Sequence, residues 1–194
     1  MSTETGSVEL VGEQTVSNIT RTALFAAVVG AFAQVSFPNP LAPAIPVTLQ
    51  VLGVFLAGIF LGPLWGSASL VLYLVAGAVG APVFAGGSAG LVELVGLTGG
   101  YLLSYPVAAF VVGTTVHGGL TLHDPKTAGV PRLVAGMLAG TAVIYTFGTV
   151  GFSLVGNYAL AEAFTLSALA FVPFEAFKIA AAVGIVRSDR VTAE

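Results

Sequence analysis

Two ionisable side chains, Glu175 and Lys178, stand three residues apart in an otherwise apolar stretch, "FVPFEAFKIAAAV" (171–183). On a helix this spacing puts both on one face, and Pro173 is suited to the first turn of such a helix. A carboxylate that accepts N–H bonds beside an ammonium that donates to a carbonyl matches the edge of a urea or an amide. Charges in so apolar a segment are costly and typically mark a ligand or ion site. The alternative interpretation is a structural ion pair that ties this helix to its neighbours.

A second motif, "GGSAG" (86–90), matches the G-x-S-x-G pattern of serine hydrolases and is followed by His117. The predicted elements separate the two residues, because Ser88 falls in a loop and His117 at the far end of a helix, about 25 Å away by helical rise. A Ser–His pair needs hydrogen-bond distance, about 3 Å. The sequence also lacks the G-x-x-x-x-G-K-[ST] nucleotide loop. We therefore expect no enzyme, no cofactor and no ATP hydrolysis by the chain itself.

The composition is that of a membrane protein. Of 194 residues 56% are hydrophobic and 8% are charged, whereas soluble domains carry about 25% charged residues. Between Arg21 and Asp124 the only formally charged side chain is Glu93. The absence of cysteine excludes disulfides and thiolate metal sites, and we expect no metal. The net charge of −3 argues against nucleic-acid binding. We expect one domain in contact with membrane lipid in the cell membrane.

Apolar runs in the sequence predict an all-α membrane protein, a bundle of six transmembrane helices. The predicted spans are at about 20–36, 47–62, 64–80, 100–117, 132–152 and 172–188. In a six-span bundle both termini lie at the same end of the helices. The positive-inside rule makes this end cytoplasmic, because five basic residues fall there. They are Arg21, Lys126, Arg132, Arg187 and Arg190. We expect a membrane domain over 20–188 between cytoplasmic tails 1–19 and 189–194. The loops 38–46, 81–99 and 152–171 then face outward, either as a ligand cradle or as plain surface loops.

A stripe of small residues runs along the first predicted helix, where Ala23, Ala27 and Ala31 are spaced by four. Small residues at this spacing allow a neighbouring membrane helix to approach closely. The alternative is packing inside the bundle, which Gly136 and Gly140 of the fifth predicted helix could equally serve.

Three stretches together resemble the BioY family, the S components of energy-coupling-factor biotin transporters: "IPVTLQVLGVFLAGIFLGPLWGSASLVLYLVAGAVGAPVFAGGSAG", "GLTGGYLL" and "FVPFEAFK". The resemblance covers roughly residues 20–188 and is densest from Pro46 to Tyr101. It implies a six-helix, non-enzymatic fold that binds biotin at its outer face. It also implies a partner module, a transmembrane coupling (T) protein with two cytoplasmic ATPases, on which the first helix docks through its small-residue stripe.

The resemblance also implies a set of substrate-binding residues. These are Gln50, Phe84, Gly86, Gly87, Ser88, Tyr101, Glu175 and Lys178. The ureido ring of biotin would bind the charged pair, the thioether ring and chain would pack on the aromatic residues, and the carboxylate would bind the serine and the glycine-rich loop. The opposite assignment, with Lys178 on the carboxylate, stays open.

The chain departs from the family pattern at several of these positions. Glu175 stands where the family usually has aspartate, and Phe174 where it has glycine. Ser88 and Leu102 stand where some members have asparagine and arginine. Two further hypotheses therefore remain, an S component for another vitamin and a gradient-driven carrier that works alone.

Overall fold

The computed structural model describes residues 12–39 and 45–188. The tail predicted at 189–194 and most of the tail predicted at 1–19 lie outside these residues. The described chain is mostly helical, and its helices are α1 (Glu13–Gln34), α2 (Gln50–Ala78), α3 (Leu91–Val95), α4 (Gly99–His117), α5 (Val130–Gly156), α6 (Leu160–Ser167) and α7 (Val172–Arg187). Two short strands, β1 (Ser36–Phe37) and β2 (Val47–Thr48), pair antiparallel and frame the loop between α1 and α2.

Helix α1 begins at Glu13, earlier than the predicted span 20–36, so residues 13–19 are helical. An acidic residue in the first turn suits the positive end of the helix dipole. The side chains of Gln14 and Asn18 are also hydrogen-bonded across one turn. These residues are polar, so a search for apolar runs does not find this part of the helix.

Helix α2 is a hairpin of two arms, residues 50–61 and 63–78, because the backbone reverses at Gly62, whose φ is +73°. In the folded hairpin Gln50 Nε2 donates to the Tyr73 hydroxyl at 2.6 Å, although the two residues are 23 positions apart. In one straight helix they would be about 35 Å apart. The two arms therefore correspond to the second and third predicted spans. Glycine suits the turn because only glycine adopts this backbone conformation without steric cost.

The bend of the hairpin is held by His117 at the end of α4. Pro63 has no backbone N–H, so the carbonyl of Ile59 lacks its usual partner four residues on. His117 Nε2 donates to that carbonyl at 2.9 Å, and its Nδ1 accepts from the backbone N–H of His123 at 3.2 Å. His117 is buried. It supplies the Ile59 carbonyl with the hydrogen bond that Pro63 cannot donate.

The core is centred on the α2 hairpin, which packs against α1 and α4, while α4 packs against α5. The helices approach closely where glycines face them. A side chain at Gly58 would collide with the backbone oxygen of Ala109. Gly136 and Gly140 of α5 pack against α4 and so serve the bundle interior.

Five described helical segments are long and apolar enough to cross a membrane. They are Glu13–Gln34, Gln50–Ala78, Gly99–His117, Val130–Gly156 and Leu160–Arg187, the last of which takes α6 and α7 together. Large apolar side chains such as Leu154 and Phe177 are exposed on the outside of the bundle, as expected of a surface in contact with lipid. The loops predicted at 81–99 and 152–171 contain α3 and α6, which the sequence analysis did not predict.

Candidate functional site

A cavity of about 240 Å³ lies where the three predicted outer loops meet the ends of α2, α4 and α7 and the middle of α5. Its volume is just below the range of about 300–1,000 Å³ that is typical of sites for drug-sized ligands, so it suits a small molecule. Six of the eight predicted substrate-binding residues line it: Gln50, Phe84, Ser88, Tyr101, Glu175 and Lys178. Residues that are far apart in the sequence thus converge on one small space.

The charged pair of the cavity is an ion pair within α7. Pro173 lies in the first turn of this helix, as predicted, and Glu175 is in the same turn. Lys178 Nζ donates to Glu175 Oε1 at 2.8 Å, and the two residues are only 3% and 4% exposed. The second carboxylate oxygen, Oε2, has no hydrogen-bond partner among the described residues. One acceptor and the remaining N–H groups of the ammonium are therefore available side by side, as an amide or urea edge requires.

Gln50 is fixed by a chain of hydrogen bonds at the start of α2. Its Oε1 accepts from Thr48 Oγ1 at 2.8 Å, and its Nε2 donates to the Tyr73 hydroxyl. That hydroxyl in turn donates to the backbone oxygen of Val83 at 3.1 Å. After these bonds the amide keeps one N–H and one lone pair for a further partner at the cavity wall. The side chain is thus held in place and still able to bind.

Tyr101 of α4 lines the cavity and contacts two further helices, α5 and α6. Its ring packs on Gly148 of α5, where any side chain would overlap the ring. Its hydroxyl donates to the backbone oxygen of Ser167 at the end of α6 and lies 2.8 Å from the Ser167 hydroxyl. Because its hydroxyl is engaged in this way, Tyr101 offers the cavity mainly an aromatic surface.

The glycine-rich loop brings Phe84 and Ser88 to the cavity. Phe84 is almost fully buried, with its ring edge-on to Tyr73 at 5.5 Å between centroids. Its backbone N–H donates to the Ser88 carbonyl, which closes the loop at 3.1 Å. Gly86 and Gly87 are not among the described residues that line the cavity. Both have positive φ, which L side chains rarely adopt, so they shape the turn that positions their neighbours.

Several lining residues were not predicted from the sequence. Tyr145 in α5 lines the cavity, and its hydroxyl is buried with no hydrogen-bond partner among the described residues. A tyrosine in the middle of a predicted span is a signal that could have identified it. Glu93 and Thr98 reach the cavity from α3 and the start of α4, and Ser167 from α6.

Ser88 and His117 belong to different parts of the molecule. His117 lines a second cavity of about 220 Å³ together with His123, Asp124 and Arg132, whereas Ser88 lines the cavity described above. The two residues are thus kept apart, as predicted, and they form no catalytic pair.

The small-residue stripe lies on the outside of the bundle. Ala23, Ala27 and Ala31 are all exposed on α1, while Ala26 and Gly30 beside them are buried against the rest of the protein. The stripe is therefore free to meet a neighbouring helix.

Comparison with known proteins identifies the family. A sequence model of the BioY family matches residues 3–193. The chain belongs to the BioY family. It is 46% identical over 91 residues to a probable biotin transporter BioY of Pyrococcus horikoshii, a match that spans 47% of this chain and 54% of that protein. It is 39% identical over 143 residues to a biotin transporter BioY of Rhodobacter capsulatus, covering 74% of this chain and 73% of that protein.

A solved structure extends the comparison from sequence to fold. A crystal structure of the S-component for biotin from an ECF-type ABC transporter superposes on 92% of this chain and 93% of its own, with a TM-score of 0.80 and 26% sequence identity. Together with the apolar helices, this BioY membership makes the chain a multi-pass protein of the cell membrane. The BioY relatives are named as transporters, in agreement with the expectation that the chain is not an enzyme.

Proposed function

We propose that this chain is the biotin-binding S component of an ECF-type uptake transporter. The observation that carries the proposal is the buried pair of Glu175 and Lys178, whose free carboxylate oxygen lies at a small cavity with largely apolar walls. Biotin has a ureido ring with two N–H donors and one carbonyl, attached to an apolar thioether ring and chain. The chemistry of the cavity and that of the vitamin are complementary, and the similarity to a biotin S-component supports the same ligand.

The ureido ring would bind deepest in the cavity. One of its N–H groups would donate to Glu175 Oε2, and its carbonyl would accept from the Lys178 ammonium, both of which are charge-assisted hydrogen bonds. The Tyr145 hydroxyl, buried at the same cavity, would supply a further polar contact. The thioether ring and chain would pack on Phe84 and Tyr101, which form apolar parts of the wall.

The proposed topology has six membrane spans with both termini in the cytoplasm. Counting the α2 hairpin as two spans, with α1, α4, α5 and α7, gives six. Arg187 at the end of α7 donates to the backbone oxygens of Lys126 and Ala128, so three basic side chains, with Arg132, lie at one end of the bundle. The positive-inside rule makes this end cytoplasmic. The biotin cavity, at the opposite ends of the helices, then opens outward.

The proposed partners are a transmembrane T protein and two cytoplasmic ATPases. Since the sequence contains no nucleotide-binding loop, uphill transport needs an external source of energy. The exposed stripe of Ala23, Ala27 and Ala31 supplies a smooth helical surface on which a helix of the T protein could pack.

Native mass spectrometry of the purified protein, followed by calorimetric titration with biotin, tests the proposal. We expect a bound mass equal to that of biotin and a saturable heat of binding at one ligand per chain. Titration with other vitamins, such as thiamine and riboflavin, serves as the control. A different bound mass, with no heat from biotin, would show an S component for another vitamin. Uptake into liposomes by the chain alone, without ATPases, would instead show a solitary carrier.

A further inference from the structure

A third charged side chain, Glu93, reaches the cavity from the short helix α3. Three of the four apolar residues of this helix point away from the cavity, since Leu91, Val92 and Val95 are about 70% exposed, while Leu94 packs against the core. Glu93 is half-buried and lines the cavity. The helix therefore turns its one carboxylate toward the ligand space and most of its apolar side chains outward.

Glu93 has no countercharge at the cavity. The carboxylate and amine side chains among the described residues that line it are those of Glu93, Glu175 and Lys178. Lys178 is bonded to Glu175 at 2.8 Å, which leaves the negative charge of Glu93 uncompensated. Ile45 and Pro46 also line the cavity, and the sequence around them, "PNPLAPAIP" (38–46), contains no ionisable side chain. A ligand carboxylate that approached Glu93 would thus meet a like charge and no free cation of the described cavity wall.

The exposures of these charges place Glu93 nearer to solvent than the pair. Glu175 and Lys178 are only 3–4% exposed, whereas Glu93 is partly exposed. If the ureido ring binds the pair, the acyl chain would extend toward the more exposed side of the cavity wall. The group at the end of that chain would then be the part of the ligand that Glu93 contacts.

Resting on the proposed function, we propose that Glu93 is a specificity-determining residue that favours biotin amides, above all those that end in an amine, over biotin with a free carboxylate. An amide removes the negative charge that Glu93 repels, and a terminal ammonium adds a charge that it attracts. The amide formed between biotin and a lysine side chain belongs to this class. Because Glu93 is partly exposed, salt screens both effects.

Calorimetric titration of the full chain in detergent with three ligands tests this role. The ligands are biotin, its neutral primary amide, and a biotin amide with a terminal primary amine. In Glu93→Gln we expect biotin to bind roughly fivefold more tightly and the amide with the terminal amine to bind roughly fivefold more weakly. Each change corresponds to the upper range of interaction measured for exposed charge pairs. The ratio of the two affinities would then change roughly 25-fold. Glu93→Lys should move this ratio further in the same direction.

Two controls make the outcome decisive. Glu162→Gln removes an exposed carboxylate of α6 that is not among the cavity-lining residues, so it should leave the ratio unchanged. The neutral amide should bind the wild type and Glu93→Gln equally, which shows that the site is intact. If the ratio of the affinity for the amine to the affinity for biotin is the same in the wild type and in Glu93→Gln, with biotin still bound, the role of Glu93 is overturned. That result would leave the proposed function standing. Failure of all three ligands to bind the wild type would overturn the proposed function, and this inference with it.

Discussion

Removal of the Lys178 ammonium tests whether the charged pair binds the ligand, because it leaves Glu175 as a lone buried carboxylate. Its Oε1 would lose the 2.8 Å bond to Nζ, and its Oε2 already has no partner among the described residues. Truncating one member of a buried charge pair at a binding site costs about 2–5 kcal/mol of binding free energy. A loss of about 3 kcal/mol corresponds to roughly 100-fold in affinity, so we expect Lys178→Ala to weaken biotin binding at least ~100-fold.

Isothermal calorimetry of the purified variant with biotin measures this loss directly. The matched control is Lys126→Ala, which makes the same substitution in the loop between α4 and α5, outside the residues that line the cavity. The control should bind biotin as the wild type does. Since breaking a buried pair also destabilises the fold by about 3–5 kcal/mol, thermal unfolding of each variant should be recorded alongside its affinity.

A double variant separates ligand binding from a purely structural role. Glu175→Met with Lys178→Met removes both charges, and replacing a buried ion pair by well-packed hydrophobic residues of similar volume is often neutral in stability. We expect the unfolding temperature to recover relative to Lys178→Ala, while biotin affinity stays low. Normal affinity in a folded Lys178→Ala protein would refute the reasoning. Recovery of both stability and affinity in the double variant would show that the pair only ties α7 together.

Three further predictions concern topology, partner docking and the hairpin bend. Because the chain has no cysteine, an impermeant thiol reagent added outside intact cells should label Ser88→Cys and not Thr127→Cys; the reverse pattern would invert the orientation. Ala27→Trp should abolish co-purification with the T protein and ATP-dependent uptake but leave biotin affinity normal, whereas Leu138→Trp, on the exposed face of α5, should change neither. Lost biotin binding in Ala27→Trp would place the stripe in the protein's own packing. His117→Leu should lower the unfolding free energy by roughly 1–3 kcal/mol, since it leaves a buried carbonyl unpaired, without changing biotin affinity; unaltered thermal unfolding would contradict this role.

The helices could be predicted from the sequence because membrane spans are long and apolar. The run from 47 to 80, with "LGP" near its middle, predicted two spans, and the structure has a hairpin that bends at Gly62. The start of α1 was missed because five of the seven residues 13–19 are polar. Helices α3 and α6 are shorter than any window that detects a span, so they fall within the segments predicted as loops.

The candidate site could be predicted only in part. Glu175 and Lys178 were identified because a charge in an apolar helix is unusual and a spacing of three places both on one face. The convergence of Tyr145, Ser167 and Glu93 on the same cavity depends on how α3, α5 and α6 pack. Packing of this kind is a long-range property, and helical periodicity within one segment does not encode it.

The polar residues of the cavity must be stable without a ligand and still able to attract one. In an apolar bundle an unpaired polar group costs free energy, so the protein itself holds the side chains of Gln50 and Lys178. Gln50 is bonded to Thr48 and Tyr73, and Lys178 to Glu175. Each nevertheless keeps donors or lone pairs free, because an amide and an ammonium have more than these bonds use. The side chains are therefore already ordered when the ligand arrives, and binding loses less conformational entropy than it would if they had to be fixed at that moment.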